Sequence, residues 1–469
     1  MAQIANWTPG WQSYAATDDP ADIVTSPTVA AAIGTKVDAQ GGQTENLLLL
    51  EALLEINGSF RRTLEACFLD WVNVRQFGAL GDGSTDDTAA IRLAISYAQG
   101  LLCGATIYFP PGQYKVTGGL SITSPHVSLQ GQGQASQIVG YGAFDTVTID
   151  GTNAGGPGGM YNNNVYDLYF EEGNKTGGKC LNMLQLARIR IMRVTFNNPY
   201  DGMKIRHYND VVVEQVVVDG PLRGGDNIRF LITSLTTTTS DVITIRDFGM
   251  GGSAPTSGTP TIRAHGIVID GLCNTVCIYK AYATCIEGHG YWLRNTIGAP
   301  AGPGYVQFDG IESDFCAASA LQIDSVATMD VFKMSLEDTW AAPNIYVGAG
   351  AKDVGFHGGK SSDAGQEGIV IHGTRVTVNG TRFFSNSRAE RGGTVNTYDG
   401  VAIGADAQHV TVTGASSGPG NNSQRYGVSI ANGAQCTVVV GNDLTSNASG
   451  GVLNNASNSD NFVVTNNLQ

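Results

Sequence analysis

Charge is scarce in this chain: 14 % of residues are Asp, Glu, Lys or Arg, and acids outnumber bases 41 to 27, for a net charge of −14. That balance argues against nucleic acid or an anionic membrane as the partner, because both demand clustered Lys and Arg. No apolar run reaches the ~20 residues that a membrane helix needs. The longest, Leu47 to Leu50 with Leu53 and Leu54, is broken by Glu51. The first residues lack the basic stretch that opens a secretory signal, so export by the general pathway is not expected. The 62 glycines follow no Gly-X-Y period, which excludes collagen. The 8 cysteines keep no zinc spacing, since Cys273 and Cys277 have no second pair at a matching offset. Small buried thiols are expected instead, including Cys277 and Cys285, and neither a metal nor a cofactor is implied.

What the chain does have is a repeated theme. From about residue 165 onward a short alternating apolar run, a Gly/Asn turn and a second apolar run recur at intervals of roughly 22 to 34 residues. Val, Ile and Phe at alternate positions make the unit a strand, so the stack is a β-solenoid. Aligning first apolar residues gives the anchors Val165, Ile189, Val211, Val242, Val276, Val306, Val331, Val354, Val376, Val410, Thr437 and Asn461. Asn, Ser and Thr do much of the solubilising, as suits closely stacked turns where like charges would repel.

Ahead of the repeats, residues 1 to 43 read as an extended arm. Leu47, Leu50, Leu53, Leu54, Phe60, Leu64 and Trp71 recur at helical spacing. That stripe packs either on the base of the solenoid or against its copies in an oligomer. Residues 1–71 therefore form an attachment or oligomerisation segment, and 72–469 the solenoid, with a cap at 72–100. Within the cap, a strand is expected over Val72 to Phe77, then a Gly-rich turn and an amphipathic helix from Asp86 and Asp87 to near Gln99. Asp82, Asp86 and Asp87 are better read as helix-capping carboxylates than as a calcium site.

The strings FGALGDGSTDDTAAI (Phe77 to Ile91), IYFPPGQY (Ile107 to Tyr114) and SLQGQG (Ser128 to Gly133) resemble the pectate-lyase-like superfamily, in particular its bacteriophage tailspike and capsule-depolymerase branch. The resemblance implies an all-β fold, a right-handed parallel β-helix with a capping helix and an N-terminal helical arm. It also implies a homotrimer on a virion tail or baseplate, or an extracellular protein, acting on a bacterial surface polysaccharide.

A polysaccharide-cleaving solenoid needs outward acids on neighbouring coils, which stack ~4.8 Å apart. Six positions past successive anchors stand Tyr282, Glu312, Glu337, Lys360 and Arg382, with Asp309, Asp314 and Asp338 flanking the glutamates. Paired carboxylates fit glycoside hydrolysis, one as acid and one as base or nucleophile. Glu312, Glu337, Asp314 and Asp338 are the catalytic candidates. Tyr282, Asp309, Trp340, Lys360, Arg382, His357 and Trp292 are the substrate-binding ones. Two rival readings use the same column. A lyase would abstract the C5 proton of a uronate with Lys360, Arg382, Tyr282 or His357, and a non-catalytic spike would merely adhere to glycan.

Overall fold

The computed structural model describes residues 71–153, 160–252, 264–418, 423–456 and 462–469. The arm and its helical stripe, residues 1–70, lie outside these, as does the anchor Asn461. Residues 72–469 form one compact unit.

All strand pairings in that unit are parallel and join each coil to the next, which makes it a solenoid. Each coil contributes to three sheets in turn. One coil supplies Tyr291–Arg294, Tyr305–Asp309 and Glu312–Asp314, and the next supplies Leu321–Val326, Thr328–Phe332 and Ser335–Glu337. We call these sheets three, one and two, in that order along the chain. Side chains alternate in and out, and the inward ones are almost fully buried: Val276, Val306, Met329, Val354 and Val376 stack in one column, each at most 1 % exposed. Each such side chain stabilises the fold by about 1.5–3 kcal/mol.

Sheets one and two meet at a one-residue corner with positive φ, filled by Lys280, Gly310, Lys333, Gly358 and Gly380 in successive coils. Lys333 thus turns a corner and projects into solvent. Three anchors are corrected here, the first being Val165, which pairs with Ile191 and not with Ile189. Val331 stacks on Phe308, and Met329 is the true partner of Val306. Val242 is likewise displaced, because Ile243 pairs with Val276.

The cap is built on the helix Thr88–Gly100, whose buried residues Ile91, Ala94, Ile95 and Ala98 face the first coil. Val72–Phe77 is a two-residue strand followed by a 3-10 turn, because the Asn73 side chain accepts the Arg75 N–H at 3.0 Å. Asp87 makes no helix-capping bond. Its buried carboxylate takes the N–H groups of Leu80 (2.7 Å) and Gly81 (3.1 Å), fastening the Gly-rich loop to the helix start. Asp82 binds the Ser84 and Thr85 N–H groups in its own turn, while Asp86 accepts the first helical N–H, that of Thr88. Cys277 and Cys285 are half-buried rather than core thiols, whereas Cys180, Cys273 and Cys316 are buried.

Candidate functional site

Sheet two carries the predicted column, with one correction. Tyr282 pairs with Glu312, Glu312 with Ser335, Ser335 with Lys360, and Lys360 with Arg382. Glu337 therefore does not lie beside Glu312, because counting from Val331 instead of Met329 moves it two places. It stands in the neighbouring outward column and pairs with Ser362. Ser313 pairs with Leu336, which brings Asp314 next to Glu337.

That second column gathers the carboxylates. Asp314 lies within hydrogen-bonding reach of Asp338, and Glu337 is close enough to act on it electrostatically. Partial burial comes first, then the charges of Asp338 and Glu337, in pushing the Asp314 carboxyl up to about 6. Its neighbours are held by cations. Lys360 Nζ is 2.7 Å from Glu337 Oε1, and the Ser335 hydroxyl donates to the same oxygen at 3.0 Å. Asp338 occupies a corner with φ of 59° and binds Arg391 Nε at 2.6 Å. Arg391 also lies 4.7 Å over the Phe315 ring. It belongs to the segment between sheets two and three, and its neighbour Arg388 pairs with the next corner acid, Asp363. Asn344, buried, fixes the loop after Asp338 by donating to Leu336 O (3.0 Å) and Ser362 O (2.7 Å).

Around this cluster Tyr282 is exposed, and its ring lies across Gly249 of the preceding coil, where any side-chain carbon would meet the phenol oxygen at 2.4 Å. Arg382 is exposed, 5.3 Å over the Phe384 ring. Trp340 sits beside Gly392, where a side-chain carbon would come 2.8 Å from its Nε1. Other predicted residues fall elsewhere. Asp309 and His357 stand on sheet one, across the corner: Asp309 faces Lys333 at 4.0 Å, and His357 bonds Asp330 at 3.0 Å while stacking on Phe332. Trp292 is on sheet three, its indole N–H donating to Asp324 at 2.6 Å. Glu172, on an earlier coil, is buried and paired with Lys175 at 3.5 Å. The salt link of Arg391 to Asp338 carries no signal in the sequence, because it spans 53 residues and leaves no local pattern.

Carboxylates of unequal environment, one raised to about 6 and two bound to cations, can deliver a proton to one atom while a charged oxygen approaches another. Among the described residues no cluster of three or more His, Cys, Asp or Glu could hold a metal ion.

Residues 71–171 match the family described as rhamnogalacturonase A/epimerase, pectate lyase-like. That segment resembles the family in sequence, and the match stops at residue 171. Mannuronan C5-epimerase AlgE2 of Azotobacter vinelandii is 45 % identical over 83 residues, 17 % of this chain and 8 % of that protein. Alginate lyase 7 of the same organism is 42 % identical over 81 residues, 17 % and 9 % of the two chains. The match thus spans less than a tenth of these relatives' lengths. Among solved structures, tailspike protein 3 of bacteriophage CBA120 superposes with a TM-score of 0.69 at 16 % identity, covering 93 % of this chain and 68 % of that one. The A-module of Azotobacter vinelandii mannuronan C-5 epimerase AlgE4 gives 0.50 at 17 % identity, covering 84 % and 100 %. These likenesses show the fold, a parallel β-helix.

Proposed function

We propose that the protein is a tailspike-like depolymerase that binds a bacterial capsule or exopolysaccharide along sheet two and cleaves it by glycoside hydrolysis. The observation that carries this reading is Asp314, a carboxyl raised to about 6 beside Glu337 and Asp338. In the proposed reaction Asp314 protonates the glycosidic oxygen as the bond to the anomeric carbon breaks. Glu337, oriented by Lys360 and Ser335, attacks that carbon or takes a proton from the attacking water. Glu312, exposed two residues before Asp314 on the same strand, is the alternative base. Arg391 orients Asp338, which keeps the proton on Asp314. Tyr282 and Trp340 offer aromatic faces to sugar rings.

The rest of the proposal concerns assembly. The coil is right-handed, as parallel crossover connections overwhelmingly are. Three copies form the working spike, residues 1–71 attach it to a virion tail, and 72–469 act on glycan. The activities for which the relatives are named favour sugar polymers as substrates, and the tailspike likeness favours a phage particle. The family match ends at residue 171, before the cluster begins.

Incubation with purified capsule or exopolysaccharide tests the reading. Viscosity should fall, and Asp314→Asn and Glu337→Gln should each slow the fall by about 10²–10⁴-fold while leaving glycan binding intact. Full activity in both variants would remove the site assignment. β-Elimination is the second reading, favoured by Lys360 and Arg382 pairing in one column where a uronate carboxylate would sit. An unsaturated product absorbing near ~235 nm would establish it in place of hydrolysis.

A further inference from the structure

Sheet three carries a cavity of about 500 Å³, within the size range of small-ligand sites. Two outward columns make its floor. Lys204 pairs with Leu231, and Arg206 pairs with Thr233. One coil further, Thr233 pairs with Asp270, which pairs with Arg294. The floor is therefore apolar on one side and charged on the other. Leu231 belongs to a small apolar cluster with Ile228, Val268 and Trp292 on the outside of the sheet, separate from the main core. Arg294 lies 4.4 Å over the Trp292 ring.

The charges in this cavity do not cancel. Asp270 is 2 % exposed and fully engaged: Arg294 Nε at 2.8 Å, the Thr296 N–H at 2.8 Å and the Thr296 hydroxyl at 2.5 Å all donate to it. Asp226 is bound by Lys179 at 2.8 Å. Among the described residues neither Lys204 nor Arg206 has an ion-pair partner, and Arg206 Nε is buried with no hydrogen-bond acceptor. Burial pulls the Lys204 ammonium below its ordinary range, and the charge of Asp226 offsets this only in part. Leaving such donors unmet costs free energy that an anionic ligand would recover.

We propose that this cavity is a second, non-catalytic glycan site that takes an acidic sugar, its carboxylate held between Lys204 and Arg206 and its ring face on Leu231. The inference rests on the glycan-binding reading above but not on cleavage. Neither carboxylate of the cavity is free to act as an acid or base, and the site lies on another sheet from Asp314. Its role is to hold an acidic chain while other coils work on it.

The test uses the full-length protein and two probes, a uronate trisaccharide and its uncharged methyl ester, followed by titration calorimetry. The acid form should bind at least ten times more tightly than the ester. Lys204→Gln and Arg206→Gln should each weaken acid binding about tenfold without changing thermal stability, and Asp314→Asn should leave it unchanged. Equal affinity for acid and ester, or undiminished acid binding in both cavity variants, would overturn the proposal. Loss of acid binding in Asp314→Asn alone would place the acidic subsite on sheet two and sink it equally. Cleavage of whole polysaccharide by a protein that shows no acid preference would leave the hydrolase reading standing and remove only this one.

Discussion

At the scale of single residues, the burial of Asp314, reinforced by the charges of Asp338 and Glu337, sets how the cluster answers to pH. Asp314 is a donor only while protonated, so the acid-dependent step should fade as pH rises through about 6. Replacing Asp338 by Asn removes the adjacent negative charge that helps hold the proton. The falling limb of the pH profile of kcat/KM should then move to lower pH, with a smaller loss of activity well below it. A profile of Asp338→Asn superimposable on the parent would show that Asp338 does not tune the acid. The carboxylates themselves are legible in the sequence as an acidic patch after each apolar pair. Their partners are not. Which acid meets which depends on a register set by corner residues, and Arg391 reaches Asp338 through the fold alone.

At the scale of the coil, the corner between sheets one and two explains both what can be read and where reading slips. A positive φ costs an L-residue about 1–2 kcal/mol and a glycine almost nothing. Gly310, Gly358 and Gly380 therefore announce their corners, whereas Lys333 hides one, and the two-place error at Val331 arises in that coil. Val306, Val354 and Val376, the anchors of glycine-marked coils, fall in their true places because the turn signal and the apolar alternation agree. The cap is legible for a similar reason, since its Gly-rich turn and amphipathic helix are local patterns. The sheet-three cavity is not, because its strands are separated by long connections that carry no period. Two neighbouring glycines make the corner testable. Gly358 has φ of 72° and open space where a side-chain carbon would stand, while at Gly359, φ 85°, that carbon would lie 2.3 Å from Met334 O. Gly358→Ala should cost about 1–2 kcal/mol and Gly359→Ala about 3 kcal/mol or more, since backbone must move. Urea denaturation of the two variants checks the order. Equal losses would mean that the corner tolerates displacement of the coil beneath it.

At the scale of the whole solenoid, carboxyls displaced in opposite directions set the pH of greatest stability. Asp82, through the Thr85 and Ser84 N–H groups, and Asp353, through the Arg375 guanidinium, are held below the usual carboxylate range. Their contribution is present above the unfolded value near 4 and is lost as pH falls below it. Asp314 and Glu367 work in reverse. Burial first, then the nearby charge of Asp399, pushes Glu367 up to about 7. Between about 4 and 7 the folded chain keeps a proton that the unfolded chain releases, so stability falls as pH rises through that window. A net charge of −14 acts in the same direction, since ionisation adds to self-repulsion. The melting temperature should peak between about pH 4 and 6 and decline toward 8. Glu367→Gln removes one of the ionisations responsible without changing shape, and should flatten the decline while leaving the acid side of the curve unchanged. A decline of undiminished slope in that variant would assign the effect to Asp314 and overall charge, and would remove Glu367 from the account.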